Sequence, residues 1–210
     1  DGRLTAACRG LNRLKILNGD SALIVGLLLF SGAASAAPDF TLRGFGTLGA
    51  THNFSNDAAP IRDIGQPDGP RGGTSFDMDS RLGVQLDGAF TEEISSAVQV
   101  VSRYNYEGKY TPRIDRAFVK YDFIAQGVEV RLGRYGWDLY SLSDSRNVGY
   151  ALLWVRPPVD YFGKLQQDSL DGVDLTFSRQ LGEGVLGGKA YWGRASGKVA
   201  IDSTSYLDLR

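Results

Sequence analysis

From Phe40 onward, apolar and polar residues alternate in a series of runs, the two-residue period of a strand with unlike faces. The first run, Phe40–Thr51, sets Phe40, Leu42, Gly44, Gly46, Leu48 and Ala50 against Thr41, Arg43, Phe45 and Thr47. Ser80–Phe90 sets Leu82, Val84, Leu86 and Phe90 against Arg81, Gln85 and Asp87. Ser96–Tyr106 sets Val98, Val100, Tyr104 and Tyr106 against Gln99, Arg103 and Asn105. In Arg113–Phe123, the residues Ala117, Val119, Tyr121 and Phe123 oppose Arg116, Lys120 and Asp122. Val128–Arg134 separates Val128, Val130 and Leu132 from Glu129 and Arg131, and Gly172–Arg179 separates Val173, Leu175 and Phe177 from Asp174, Thr176 and Ser178. A seventh run, Val185–Arg194, is Gly-rich and its parity stays open.

The connections between these runs are sorted by length. Phe54–Asp79, Glu107–Pro112 and Tyr135–Leu170 alternate with the short Thr91–Ser95, Ile124–Gly127 and Gln180–Gly184. Tight turns at one end and extended loops at the other predict an antiparallel meander belonging to a transmembrane β-barrel, an all-β fold. Runs of about ten residues suit a tilted membrane strand. Aromatic residues sort the same way, with Tyr104, Tyr106 and Tyr110 toward the long loops and Phe90, Phe123 and Phe177 toward the turns, as membrane girdles do. A soluble ligand-binding sandwich explains neither sorting.

The segment ahead of Phe40 reads as an export signal. Arg9, Arg13 and Lys15 precede the apolar stretch Ala22–Phe30, and Ala34-Ser35-Ala36 supplies small residues for cleavage after Ala36. The apolar stretch is too short to cross a bilayer as a helix. The expected organisation is therefore 1–36 upstream residues and signal peptide, then 37–210 as part of the barrel. Cys8 is the one cysteine and falls in the removed segment, so the mature chain has no disulfide to rely on. Taking Arg3, Arg9, Arg13, Lys15, Asp1 and Asp20 from 23 basic and 24 acidic residues leaves 19 and 22, a net charge of −3. That balance argues against a nucleic-acid partner. Met78 is the sole methionine, and the chain stops at Arg210 inside an alternating run, so a fragment of a longer protein is expected.

Several short motifs, in order, resemble the general porins of Gram-negative bacteria. These are Phe40–Gly49, Asp79-Ser80-Arg81-Leu82-Gly83, Leu132-Gly133-Arg134 followed by a very long loop, and Asp171-Gly172-Val173-Asp174; the stretch Tyr150–Pro158 more closely resembles the divergent porin-like proteins of proteobacteria. The resemblance covers Phe40–Arg194. It implies a barrel of about 16 strands, a homotrimer in outer-membrane lipid, and a third external loop folded inward to narrow the pore. The Gly-rich first strand, with Gly44, Gly46 and Gly49, suits a close subunit contact. One departure is the short Glu107–Pro112, where trimeric porins use a longer latching loop.

No catalytic set is expected, because His52 is the single histidine, and neither a metal site nor a cofactor is called for. What remains is a charged lumen. Arg43, Arg81, Arg103, Arg116, Lys120 and Arg131 fall on inward parities, with Arg134 at the start of the long loop, and together they form an expected basic wall. The long loop carries Asp138, Asp144, Asp160 and Asp168. Folded inward, it would bring Asp138 and Asp144 opposite Arg81, Arg103, Arg116 and Arg131, creating a transverse field across a water-filled constriction. The expected function is passive diffusion of small hydrophilic solutes and ions. The alternative is a non-conducting structural or adhesive barrel.

Overall fold

The strands pair in chain order, each antiparallel to its neighbour, as period-2 runs joined by hairpins should. A computed structural model describes residues 37–138, 142–154, 156, 158–160, 169–202 and 205–209; the expected signal segment 1–36 lies outside the described residues. The main sheet contains β1 (Asp39–Thr47), β4 (Arg81–Ala89), β5 (Ile94–Arg103), β6 (Arg113–Phe123), β7 (Val128–Gly136), β8 (Ser169–Leu181) and β9 (Gly184–Ala195), in that order. Two small ladders stand apart: β2 (Thr51–Asn53) with β3 (Gly73–Ser75), and β10 (Gly197–Asp202) with β11 (Ser205–Leu209). The described residues form an all-β, antiparallel fold.

Local chemistry explains the punctuation. At the β4–β5 turn, Thr91 Oγ1 accepts the N–H groups of Glu93 at 3.2 Å and Ile94 at 2.9 Å, a side-chain turn that reverses the chain in a few residues. The first run breaks after Thr47, earlier than its alternation suggested, because Gly49 N–H leaves the ladder and donates to Ser80 Oγ at 3.1 Å. Between β5 and β6, Asn105 Oδ1 accepts from the N–H of Glu107 at 2.9 Å and of Lys109 at 3.2 Å, which closes that connection tightly.

The two faces of the sheet are inverted relative to a soluble sheet. On β4, Leu82 is 61% and Val84 45% exposed, whereas Arg81 is 6% exposed. The register carries the division across the sheet, aligning Gly44, Val84 and Val100, then Val119, Leu132, Val173 and Trp192, on one side. That apolar face leaves Leu42, Leu86, Leu132, Leu175, Phe177 and Trp192 exposed. The opposite face holds Gln99 at 4% exposure and Asp174 at 0%. It also settles β9: Trp192 opposes Val173 on the apolar side, and Tyr191 opposes Asp174 on the polar side.

A β-bulge on β6 shifts one position from the simple count. Gln99 pairs with Arg116 and Val100 with Ile114, which leaves Asp115 as the extra residue. Strict alternation would put Ile114 beside Arg116. The bulge instead aligns Ile114, which is exposed, with the apolar Val100.

Candidate functional site

The polar face is a network of short-range ion pairs rather than a bare row of cations. Arg43 Nη1 stands 3.6 Å from Asp87 Oδ2. Asp87 in turn accepts from Gln85 Nε2 at 2.7 Å, and Gln85 accepts from Gln99 Nε2 at 2.7 Å. Arg103 reaches Asp63 at 3.6 Å and Arg116 reaches Asp115 at 3.8 Å. Lys120 lies between Asp122 at 2.9 Å and Glu129 at 3.4 Å. Arg131 donates to the buried Asp174 at 2.8 Å, with its guanidinium between the rings of Phe118 and Tyr135 at 5.7 and 5.3 Å. Near the turn end this face forms a cavity of about 470 Å³, lined by Arg43, Asp87, Ser96, Lys120, Glu129 and Arg131 among others.

Six of the seven expected basic-wall residues therefore share the polar face. Arg134 does not. β7 continues to Gly136, so Arg134 keeps the parity of Val130 and Leu132 and stands on the apolar side. There it pairs side-on with its register partner Asp171, Nε to Oδ1 at 2.6 Å and Nη2 to Oδ2 at 2.8 Å, and donates to the Ile114 carbonyl at 3.2 Å. The ladder, not the loop, fixes where it points.

Asp138 also departs from expectation. It receives Lys189 Nζ of β9 at 2.9 Å instead of facing Arg81, Arg103, Arg116 and Arg131. Two residues beyond Gly136, it is tethered within about 7 Å of the end of β7. Asp160 is exposed. The side chain of Asp144 and all of Asp168 lie outside the described residues.

The connection after β7 crosses the polar face. It starts at Asp138 on Lys189 of the edge strand β9. Asn147 Nδ2 then donates to Asp115 Oδ1 of β6 at 3.0 Å, and the Arg146 carbonyl accepts from Arg81 Nη1 of β4 at 3.3 Å. Gly149, in the 3-10 turn Gly149–Ala151, lies against β1 at the opposite edge, where a Cβ would come within 2.6 Å of Thr47 Oγ1. Finally Arg156 reaches Asp79 and Thr51. Of these anchors, Lys189, Arg81 and Thr47 belong to the polar parity, and Asp115 is the bulge residue of β6.

The first long connection joins the same face. Arg62 pairs with Asp79, Asp63 with Arg103, and Gln66 Nε2 donates to the Met78 carbonyl at 3.4 Å. Burial alone would raise the Asp79 pKa. Hydrogen bonds from Arg156 and Thr51, with the charges of Arg156 and Arg62, outweigh it and push the pKa down to about 2. Arg62, Asp63, Asp79, Arg156 and Lys189 were not among the expected site residues. Asp174 and Glu129 were visible as polar-parity positions, but their pairing was not. His52, at the loop end, has Nδ1 2.8 Å from Thr74 Oγ1 and packs on the Phe54 ring.

No protein-family model matches the chain, and no curated protein matches it at a significant level.

Proposed function

We propose that this chain is part of an outer-membrane pore through which small hydrophilic solutes and ions diffuse passively. The observation that carries the reading is the inverted sheet: exposed Leu, Val, Phe and Trp on one face, ion pairs and buried polar groups such as Arg81, Gln99 and Asp174 on the other. Removing one such apolar side chain from water contributes about 1.5–3 kcal/mol. Leaving Leu42, Leu82, Val84, Leu86, Leu132 and Trp192 in water forfeits on the order of 10 kcal/mol, comparable to the whole stability of a domain. A hydrocarbon environment removes that cost, and closure of the meander satisfies its edges.

In this reading the polar face lines the lumen, and the connection after β7 is the constriction. The similarity to general porins extends it to a homotrimer in outer-membrane lipid, with about 16 strands per subunit, exported through a cleavable signal ending near Ala36. The passage would carry interleaved rather than segregated charge, since Arg43, Lys120 and Arg131 each sit beside an acid of a neighbouring strand.

A second reading, a non-conducting barrel, is favoured by one feature: two loops and a paired network occupy the polar face. Deleting Leu142–Tyr150 from the full-length protein and recording single channels in planar bilayers separates the two. The pore reading expects measurable conductance that rises on deletion. A silent membrane for the parent and the deletion alike would favour the closed barrel. Unchanged conductance with loss of the oligomer would assign the loop to a subunit contact.

A further inference from the structure

The two long connections meet at one carboxylate. Arg62 of the first connection pairs with Asp79 Oδ1. From the third connection, Arg156 Nη2 donates to Asp79 Oδ2 at 2.5 Å and Arg156 Nε to Oδ1 at 3.4 Å. Thr51 Oγ1 donates to Oδ2 at 2.8 Å while accepting from Arg156 Nη2 at 2.7 Å. Asp79 is 6% exposed and Arg62 is buried beside it. Gly49 packs directly on Asp79, where any Cβ would overlap that of the aspartate, and its N–H is held by Ser80. Asp79, the last residue of the first connection, thus stands just ahead of β4 and is gripped by Arg62 from earlier in that connection and by Arg156 from the third.

We propose that Asp79 is the latch that holds the first and third connections across the polar face as one plug, so that this single residue sets the width of the passage. The proposal rests on the pore reading for its consequence but not for its geometry. With Asp79 neutral, the buried Arg62 and the half-buried Arg156 face each other without their shared counter-charge, and the like charges separate. Both loops release together. Losing Arg62 or Arg156 alone frees only the loop that carries it, because the other arginine still holds the carboxylate.

The test uses the full-length protein, reconstituted, with two readouts: single-channel conductance, and tryptic cleavage after Arg71 in the first connection and Arg146 in the third. Asp79→Asn is expected to raise conductance and to speed both cleavages by at least about tenfold, as loss of a buried ionic partner should. Arg62→Gln is expected to speed cleavage at Arg71 alone, and Arg156→Gln at Arg146 alone. These single variants keep the idea testable if Asp79→Asn does not fold. Wild-type cleavage rates at both sites in Asp79→Asn, or release of one loop only, overturns the latch. So does simultaneous release in either single arginine variant. Paired release by Asp79→Asn without conductance in any variant upholds the latch and counts against the pore instead.

Discussion

Arg131 and Asp174 are register partners on adjacent strands, and the guanidinium closes on a carboxylate that has no solvent exposure, Nη2 to Oδ2 at 2.8 Å. The pair also anchors Glu129, 3.6 Å from Arg131 Nε, so it is the centre of the network on β7 and β8. Breaking a buried pair from one side leaves an uncompensated charge and costs about 3–5 kcal/mol. Asp174→Asn in the full-length protein is expected to lose most of that, read as a shift in denaturant midpoint. Arg131→Met with Asp174→Leu should cost clearly less than Asp174→Asn alone. Equal losses would mean that the pair is not electrostatically buried.

Val84 lies mid-strand on the apolar face and is 45% exposed. If that face meets hydrocarbon, Val84→Arg should cost about 2–4 kcal/mol of folding in lipid. On a water-facing strand the same change falls within about 0.5 kcal/mol. Refolding into vesicles at graded urea concentrations measures the difference, and a cost near zero would remove the main support for membrane insertion.

The depressed pKa of Asp79 makes the loop anchoring acid-sensitive. Its folded pKa of about 2 lies below the ordinary 3.8. Its contribution is therefore complete above pH 3.8 and is lost as pH falls through 2. The gap amounts to roughly 2 kcal/mol. Acid stability scans between pH 5 and pH 1.5 should show this loss in the parent and not in Asp79→Asn. Parallel curves for the two proteins would refute it.

Among the described residues, β1 and β9 each pair on one side only in the main sheet. Unpaired strand edges beside an exposed apolar face favour association with other chains. Residues 37–210 expressed alone should aggregate or fail to insert. Sedimentation and unfolding curves check this, and a soluble monomer that unfolds cooperatively would contradict it.

The strand pattern was legible because alternation is a local property. The alternation gives β6 its observed bounds, Arg113–Phe123, and the division of faces on β4, β5, β7 and β8 follows from counting by two. The same count, carried two residues past Leu132, puts Arg134 on the apolar side with Val130 and Leu132. Counting alone could not anticipate the bulge at Asp115, since an inserted residue shows only against the partner strand. Nor could it resolve β9, where glycines carry no polarity and the register with β8 decides.

Local pattern alone specified the antiparallel meander, the sorting of turns from loops and, outside the β6 bulge and β9, which side chains share a face, because each depends on neighbours within a few residues. Side-chain partners across the fold depend on how distant segments come together. Arg62, Thr51, Asp79 and Arg156 meet across separations as large as 105 residues. No local pattern marks them, because a loop arginine looks the same whether it faces water or a buried carboxylate. Asp138 found Lys189 rather than the arginines for the complementary reason: chain reach confines a residue just past a strand end to the strands beside it.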